Sequence, residues 1–190
     1  MLNHPLGTKN VGFFKIESGK AMISDPCYDR NVKCHGSLIV KNGLWNAFVE
    51  LSDEYSWGKR VAELRCEHEN HRDINPWIKA DFEVGVVSGQ AGVFDDKYYK
   101  DVKVVANMTD AQRMCPDKKV CADDPWYSFC CDRTLSQQHA GVIPFGAVSS
   151  SGFGDGGYTC YYHEDISGQA DAIKIIFIND EESEDGLDRE

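Results

Sequence analysis

Apolar and polar residues alternate over much of this sequence, and turn-forming residues separate the runs, which predicts a chain built mostly of β-strands. In the run 44–51 every odd-numbered residue from Trp45 to Leu51 is apolar, so we expect that face to be buried. Three turn pairs that contain glycine lie between such runs, and each predicts an antiparallel hairpin. The predicted hairpins join 11–16 to 21–24 across Ser18-Gly19, 37–41 to 44–51 across Asn42-Gly43, and 82–87 to 91–94 across Ser88-Gly89.

Further strands are predicted at 61–66 and in the last third of the chain. Residues 142–150, 158–163 and 170–178 are expected to form a three-stranded meander. The last of these strands is apolar on both faces near its end, which indicates a central place in a sheet.

Two short helices are predicted in the 109–138 region. The first begins after Thr109, a suitable N-cap, and ends before Pro116. The second begins at Asp123 or Asp124, because the proline that follows suits the first position of a helix. The predicted fold class is therefore mostly β (α+β), with twisted antiparallel sheets and one or two short helices.

A chain of 190 residues corresponds to about one domain, and we expect a single β-rich domain over 1–179. Residues 180–190 hold seven acids and one arginine, so this segment repels itself and is predicted to be a disordered tail. No apolar run approaches the roughly 20 residues of a membrane span, and the first residues lack a secretory signal. We therefore expect a cytoplasmic protein without membrane association.

The acidic net charge disfavours one class of function, direct binding of nucleic acid. The chain has 31 acidic and 20 basic residues, and a net charge of −11. Direct binding of nucleic acid is disfavoured, because attraction to phosphates requires clustered lysine and arginine. The common enzyme signatures, such as the P-loop and the Gly-x-Ser-x-Gly elbow, do not occur in the sequence.

Eight cysteines are present without a Cys-x-x-Cys pair, which argues against a zinc ribbon or a thioredoxin-type site. Two interpretations stay open. Most of these cysteines are small buried hydrophobes and the protein needs no cofactor, or four of the cysteines and histidines bind a structural zinc ion. The candidate zinc ligands are Cys66, His68, His71, Cys115, Cys121, Cys130, Cys131 and His139.

The glycine-rich stretch near residue 155 matches Gly-x-Gly-x-x-Gly, but residues typical of strands follow it where a dinucleotide site needs a helix. It predicts instead a tight turn in which Asp155-Gly156 supplies the positive φ. Such a turn can also expose backbone N–H groups to an anion. The turn residues are Gly152, Gly154, Asp155, Gly156 and Gly157.

The tetrad Asp25-Pro26-Cys27-Tyr28 is interpreted mainly as a turn in which the aspartate forms an Asx turn. In an alternative interpretation, Cys27 is a nucleophile, or Asp25 and Asp155 form a pair of catalytic carboxylates. That alternative describes a hydrolase or a nucleotide-handling enzyme that also uses the glycine-rich turn.

Three motifs carry a resemblance to a known family. They are S-G-K-A-M-I-S-D-P-C-Y at 18–28, G-Q-A-G-V-F at 89–94 and V-S-S-S-G-F-G-D-G-G-Y at 148–158. In this order they resemble a family of uncharacterised bacterial and phage proteins that carries only a domain-of-unknown-function label. The resemblance implies no catalytic residues. The Cys/His-rich stretch 66–131 and the acidic tail depart from the family pattern, so a specialisation for partner binding is expected there.

The leading functional expectation is a non-enzymatic, acidic binding or inhibitory protein, encoded by a phage and active in the host cytoplasm. Its partner would be a basic nucleic-acid-binding protein such as a CRISPR effector nuclease, with carboxylates standing where phosphates would bind. The alternatives are the enzyme described above and a small zinc-stabilised interaction domain. The candidate partner-binding residues, each expected to be solvated, are Asp53, Glu54, Asp95, Asp96, Asp123, Asp124, Glu164 and Asp165.

Overall fold

The computed structural model describes residues 4–30, 32, 35–108, 112–115 and 123–179, and these residues form two antiparallel sheets. Strands account for 51 % of the described residues, which confirms the mostly-β fold class. The six-stranded sheet has the order β1 (His4–Ile16), β4 (Gly43–Asp53), β5 (Lys59–His68), β11 (Ala170–Ile176), β10 (Gly156–Glu164) and β6 (Ile78–Val86). The five-stranded sheet has the order β3 (Gly36–Ile39), β2 (Lys20–Ser24), β7 (Gln90–Asp95), β9 (Gly146–Ser150) and β8 (Ala140–Ile143).

An inner core fills the space between the two sheets. Every odd-numbered residue of β4 from Trp45 to Leu51 is fully buried in it, as the alternating pattern predicts. The prediction that the last strand is central is also confirmed, because β11 lies between β5 and β10. Ile173 and Ile175 point into the inner core, while Ile176 on the opposite face is only partly buried.

A second, outer core lies on the other side of the five-stranded sheet, where one helix and two short 3-10 turns cover it. The helix α1 (Pro125–Thr134) contributes Trp126 and Phe129, which pack with Phe94 of β7. The five-stranded sheet is therefore the middle of three layers. This explains why all six residues of β7 are buried.

The second predicted helix is confirmed. The Asp124 side chain accepts a hydrogen bond of 2.8 Å from the backbone N–H of Tyr127, and Pro125 occupies the first turn. Of the first predicted helix, residues 109–111 lie outside the described residues, and the described residues 112–115 contain no α-helix. The predicted acidic tail, 180–190, also lies outside them.

The three predicted hairpins are wrong in their pairing, although their turns are present. Gly19, Gly43 and Gly89 have positive φ angles of 72°, 138° and 70°, but the strands on the two sides of each turn belong to different sheets. The physical reason is burial. β2 and β7 are apolar on both faces and belong in the middle layer, whereas β1 and β6 expose one face and belong in the outer sheet.

The predicted meander is correct only for its second half. β10 pairs with β11 across Ser167-Gly168, but the run 142–150 divides into β8 and β9, which form their own hairpin around Pro144-Phe145. Pro144 has no backbone donor and ends the first of these two strands. β9 and β10 lie in different sheets.

Candidate functional site

The three sequence motifs lie side by side in the middle sheet, through β2, β7 and β9, and Asp25 of the first motif contacts the residues just before the second. Asp25 is fully buried after β2, and its carboxylate accepts four hydrogen bonds. The donors are the backbone N–H of Cys27 at 2.8 Å, of Val87 at 2.9 Å and of Ser88 at 2.8 Å, and the Ser88 hydroxyl at 2.6 Å. Asp25 thus binds the 25–28 turn to the corner between β6 and β7.

The glycine-rich turn is attached to the same corner. The backbone N–H of Ser151 donates to the Gly89 carbonyl at 3.0 Å. Positive φ angles occur at Gly152 (52°) and Gly154 (113°), whereas Gly156 and Gly157 begin β10. The prediction that Asp155-Gly156 supplies the positive φ is therefore wrong, because Gly152 and Gly154 supply it instead.

The alternative enzyme interpretation names Asp25, Cys27 and Asp155, and the structure places them in different environments. Both carboxylate oxygens of Asp25 are occupied by donors, and Asp155 is exposed at the surface. Burial, together with the hydrogen bond to Asp25 and its charge, raises the pKa of Cys27 to about 12. A nucleophilic cysteine needs a thiolate, and at neutral pH the Cys27 thiol is protonated.

A polar cavity of about 400 Å³ opens beside this corner. It lies between the first residues of β5 and β7, the end of β9, and the inner side of α1. Its polar wall includes Arg60, Ser88, Gln90, Tyr127, His139 and Ser150. Sequence analysis singled out His139 as a zinc-ligand candidate, Ser88 as a turn residue, and Gln90 and Ser150 as parts of two motifs. The chain positions of these residues give no local signal of a shared cavity.

Gln90 is the most unusual side chain of the cavity wall, because it is only 6 % exposed and only its amide nitrogen has hydrogen-bond partners among the described residues. Its amide nitrogen donates to the Tyr127 hydroxyl and to the Cys131 sulfur, each at 3.3 Å. Its amide oxygen is buried and has no hydrogen-bond partner among the described residues. A buried acceptor without a partner costs about 1–3 kcal/mol of stability.

The charge in the cavity wall is positive although the chain as a whole is acidic. The Nε atom of Arg60 is buried without a hydrogen-bond partner in the described part of the chain, and its guanidinium lies 5.9 Å from the Trp57 ring centre. Burial, followed by the positive charges of Lys59 and Arg60, lowers the pKa of His139. Burial raises the pKa of Tyr127 to about 12, so its phenol is neutral at pH 7.

Exposed aromatic side chains stand beside the cavity. Trp57 in the β4–β5 connection is 63 % exposed and Phe153 in the glycine-rich turn is 53 % exposed. Their rings contact each other edge to face, with centres 5.8 Å apart. We call Tyr55, Trp57 and Phe153 the aromatic tip; Asp53 and Asp155, both exposed, flank it in the same two connections.

One of the predicted partner-binding acids is not on the surface. Asp95 is fully buried, which contradicts the expectation that it is solvated. Its carboxylate accepts hydrogen bonds from the backbone N–H of Glu17 at 2.6 Å, of Ser18 at 3.1 Å and of Lys97 at 2.9 Å. Asp95 therefore holds the corner between β1 and β2.

Three further acids of that set are engaged within the protein. Asp96 forms an ion pair with Arg30 at 3.1 Å, and Asp124 caps α1. Asp165 lies 2.5 Å from the Lys41 ammonium, and this contact, with the hydrogen bond from Ser167, lowers the pKa of Asp165 well below its usual range. The structure does not gather the eight candidates on one face. Within the described residues, those left exposed or partly exposed without such an ion pair or cap are Asp53, Glu54, Asp123 and Glu164.

The candidate zinc ligands are dispersed. Cys66 lies in the inner core and Cys130 in the outer core, on opposite sides of the middle sheet, so they cannot bind one ion. Burial raises the pKa of both thiols. Cys121 lies outside the described residues, and the His68 ring packs edge-on against Trp45. The remaining candidates lie apart from these: Cys115 contacts Asp132, Cys131 and His139 line the polar cavity, and His71 joins a different cluster.

That cluster joins His71, His163 and Asp171, whose ligand atoms lie within 4.8 Å of one another. The Nδ1 atoms of His163 and His71 are 2.6 and 3.1 Å from the same Asp171 oxygen. The backbone N–H of Asn75 donates to His163 Nε2 at 3.1 Å, so the proton of a neutral His163 is on Nδ1. His163 therefore donates to Asp171, and Nδ1 has no free lone pair for zinc. The network fastens the loop after β5 to the β10–β11 hairpin.

No protein-family model matches this chain, and neither the curated proteins nor the solved structures contain a significant match. The resemblance to the bacterial and phage family therefore stays a prediction. In the described part of the chain, no helix has both the length and the apolar character required to cross a membrane.

Proposed function

We propose that this protein is a non-enzymatic binding protein that docks the aromatic tip onto a basic partner protein. The observation that carries the proposal is the exposed pair Trp57 and Phe153, which two separate connections bring into contact at the surface. Aromatic side chains of this kind supply most of the binding energy at many protein interfaces. A pair of large rings in water is costly for a protein that has no partner for them.

Charge supports a basic partner. The chain carries a net charge of −11, and the exposed carboxylates of Asp53 and Asp155 flank the aromatic tip. Carboxylates beside an aromatic anchor complement a surface rich in lysine and arginine, which raises the rate of association and selects against acidic partners. The partner class we propose is a nucleic-acid-binding protein, such as a CRISPR effector nuclease, whose basic groove would be covered and inhibited.

Binding and inhibition assays test this proposal directly. The purified protein is titrated against a CRISPR effector nuclease and against a second basic DNA-binding protein, at ionic strengths from 0.05 to 0.5 M, which are about the range where screening changes most. We expect Trp57→Ala and Phe153→Ala each to weaken binding at least about tenfold, a loss of about 1.4 kcal/mol.

Phe13→Ala is the matched control, because Phe13 is 65 % exposed on β1 and lies in a different apolar groove. Its binding should equal that of the unmodified protein. Binding that is insensitive to salt and to both tip variants, or no binding to either basic protein, would contradict the proposal.

A further inference from the structure

We propose that the polar cavity beside the Asp25 corner is a binding site for a small organic anion that also carries an N–H or O–H donor. This inference concerns a small ligand and does not depend on the partner protein proposed above. Three independent features of the cavity wall support it.

The first feature is the buried amide of Gln90. Gln90 lines the cavity, and its oxygen is buried without a partner among the described residues, while its nitrogen donates to Tyr127 and Cys131. A protein retains such a group at a cost of stability, and a ligand that donates a hydrogen bond to it removes the cost. The ligand therefore needs a donor at this position.

The second feature is the positive charge in the same wall. Arg60 contributes a guanidinium whose Nε atom is buried without a hydrogen-bond partner in the described ranges, and His139 can add a further donor. The Asp25 carboxylate in the adjoining corner is already occupied by the backbone N–H groups of Cys27, Val87 and Ser88. A guanidinium favours planar or tetrahedral anions, which are carboxylates and phosphates.

The third feature is a wall that is formed before a ligand binds. Gln90 and Ser150 lie opposite each other in the β7–β9 ladder, and the Asp25 carboxylate fixes Ser88 by two hydrogen bonds. A volume of about 400 Å³ is within the range of roughly 300–1,000 Å³ typical of small-molecule sites. Rigid walls reduce the entropy that binding must overcome.

The anionic group can be a phosphate or a carboxylate, and two probes distinguish them. Adenosine monophosphate combines a phosphate with amine and hydroxyl donors, and L-glutamate combines carboxylates with an ammonium donor. Adenosine, which has the donors without the anion, is the neutral comparison. Each is titrated into the full chain by isothermal calorimetry, with the melting temperature recorded in parallel.

The expected result is saturable binding of one probe that adenosine does not show. Arg60→Met and Gln90→Leu should each weaken that binding at least about tenfold, and Ser150→Ala provides a milder variant should either of them unfold the protein. Arg72→Met is the matched control. Arg72 lies in the loop after His68, the far end of β5, which is about 26 Å from Arg60 at roughly 3.3 Å per residue, and its substitution should leave binding unchanged.

Two outcomes would overturn the proposal. One is the absence of binding of both anions to the folded, unmodified chain. The other is binding that the Arg60, Gln90 and Ser150 variants retain at full strength, which would place the anion elsewhere on the surface.

Discussion

The chain crosses from the outer sheet to the middle sheet at residues 17–19 and again at 87–89, and a buried aspartate holds each of these corners. Asp95 accepts the backbone N–H groups of Glu17 and Ser18, and Asp25 accepts those of Val87 and Ser88. In both cases one carboxylate oxygen takes the two corner donors. The other oxygen takes the N–H group two residues after the aspartate itself.

The two corners differ in what covers them. Tyr98 covers the first corner, since its hydroxyl donates to Glu17 at 3.1 Å and its ring stacks on Phe145 at 4.0 Å. The second corner carries Ser88, whose side chain lines the polar cavity. A buried carboxylate that accepts the N–H groups of a sharp corner thus serves the fold alone at the first corner, and at the second it also positions a residue of the cavity wall.

The largest expected effect on stability comes from removing the aspartate at either corner. Asp25→Ala and Asp95→Ala should each lower the free energy of unfolding by about 3 kcal/mol or more, because each leaves several buried backbone donors without an acceptor. Urea denaturation measures this loss. The matched control is Asp29→Ala, whose side chain is 83 % exposed, and it should change stability by less than about 0.5 kcal/mol. Losses below about 1 kcal/mol at either corner would show that the carboxylates are not what holds the chain there.

A smaller effect is expected in the turn attached to the second corner. Gly152→Val should cost about 2 kcal/mol, because φ is 52° and a Cβ atom would lie 3.0 Å from Phe177. Gly154→Val should cost about 1 kcal/mol, because its φ of 113° strains a side chain although no atom lies within 4 Å of the new Cβ. Gly156→Val should cost less than about 0.5 kcal/mol, because Gly156 has no positive φ and only ordinary contacts. Thermal or urea unfolding of the three variants tests this order, and equal losses would mean that φ does not decide it.

The smallest effect concerns the pH dependence of the cavity wall. The pKa of His139 is lowered in the folded protein, so the unfolded chain binds a proton more readily than the folded one. This contribution to stability is fully present above the ordinary pKa near 6.5 and is lost as the pH falls below it. Asparagine tolerates the φ of 56° at this position and does not titrate. The His139→Asn variant should therefore show a shallower decline of the urea midpoint from about pH 7.5 to 5.5. An unchanged or steeper decline would contradict the direction of the shift.

Local signals predicted the parts of the fold that depend on neighbouring residues. The alternation along β4 identified its buried face, and Asp124 with Pro125 identified the start of α1. The pairing of strands could not be predicted this way. A glycine such as Gly19 or Gly89 allows the chain to turn, but it does not determine which strand the next one pairs with. That choice depends on which strands are apolar on both faces.

The candidate site is formed by residues far apart in the sequence, and a local sequence pattern cannot predict that they meet. Gln90 meets Cys131 across 41 residues, and Asp25 meets Ser88 across 63. The 25–28 turn and the glycine-rich turn were recognised as motifs, but their meeting at one corner required the structure. Asp95 shows the opposite error, since a pair of adjacent acids resembles a solvated surface cluster and yet one of them is the buried centre of a corner.

One NMR experiment compares the two corners directly and tests whether the cavity beside the Asp25 corner binds a small anion. Backbone amide shifts are recorded by NMR while adenosine monophosphate, and separately L-glutamate, is added to the full chain. We expect saturable shift changes at Ser88, Gly89 and Gln90 with one of these anions, while Glu17 and Ser18 at the other corner stay unchanged. Equal changes at both corners, or no change at Ser88 to Gln90 with either anion, would contradict this expectation.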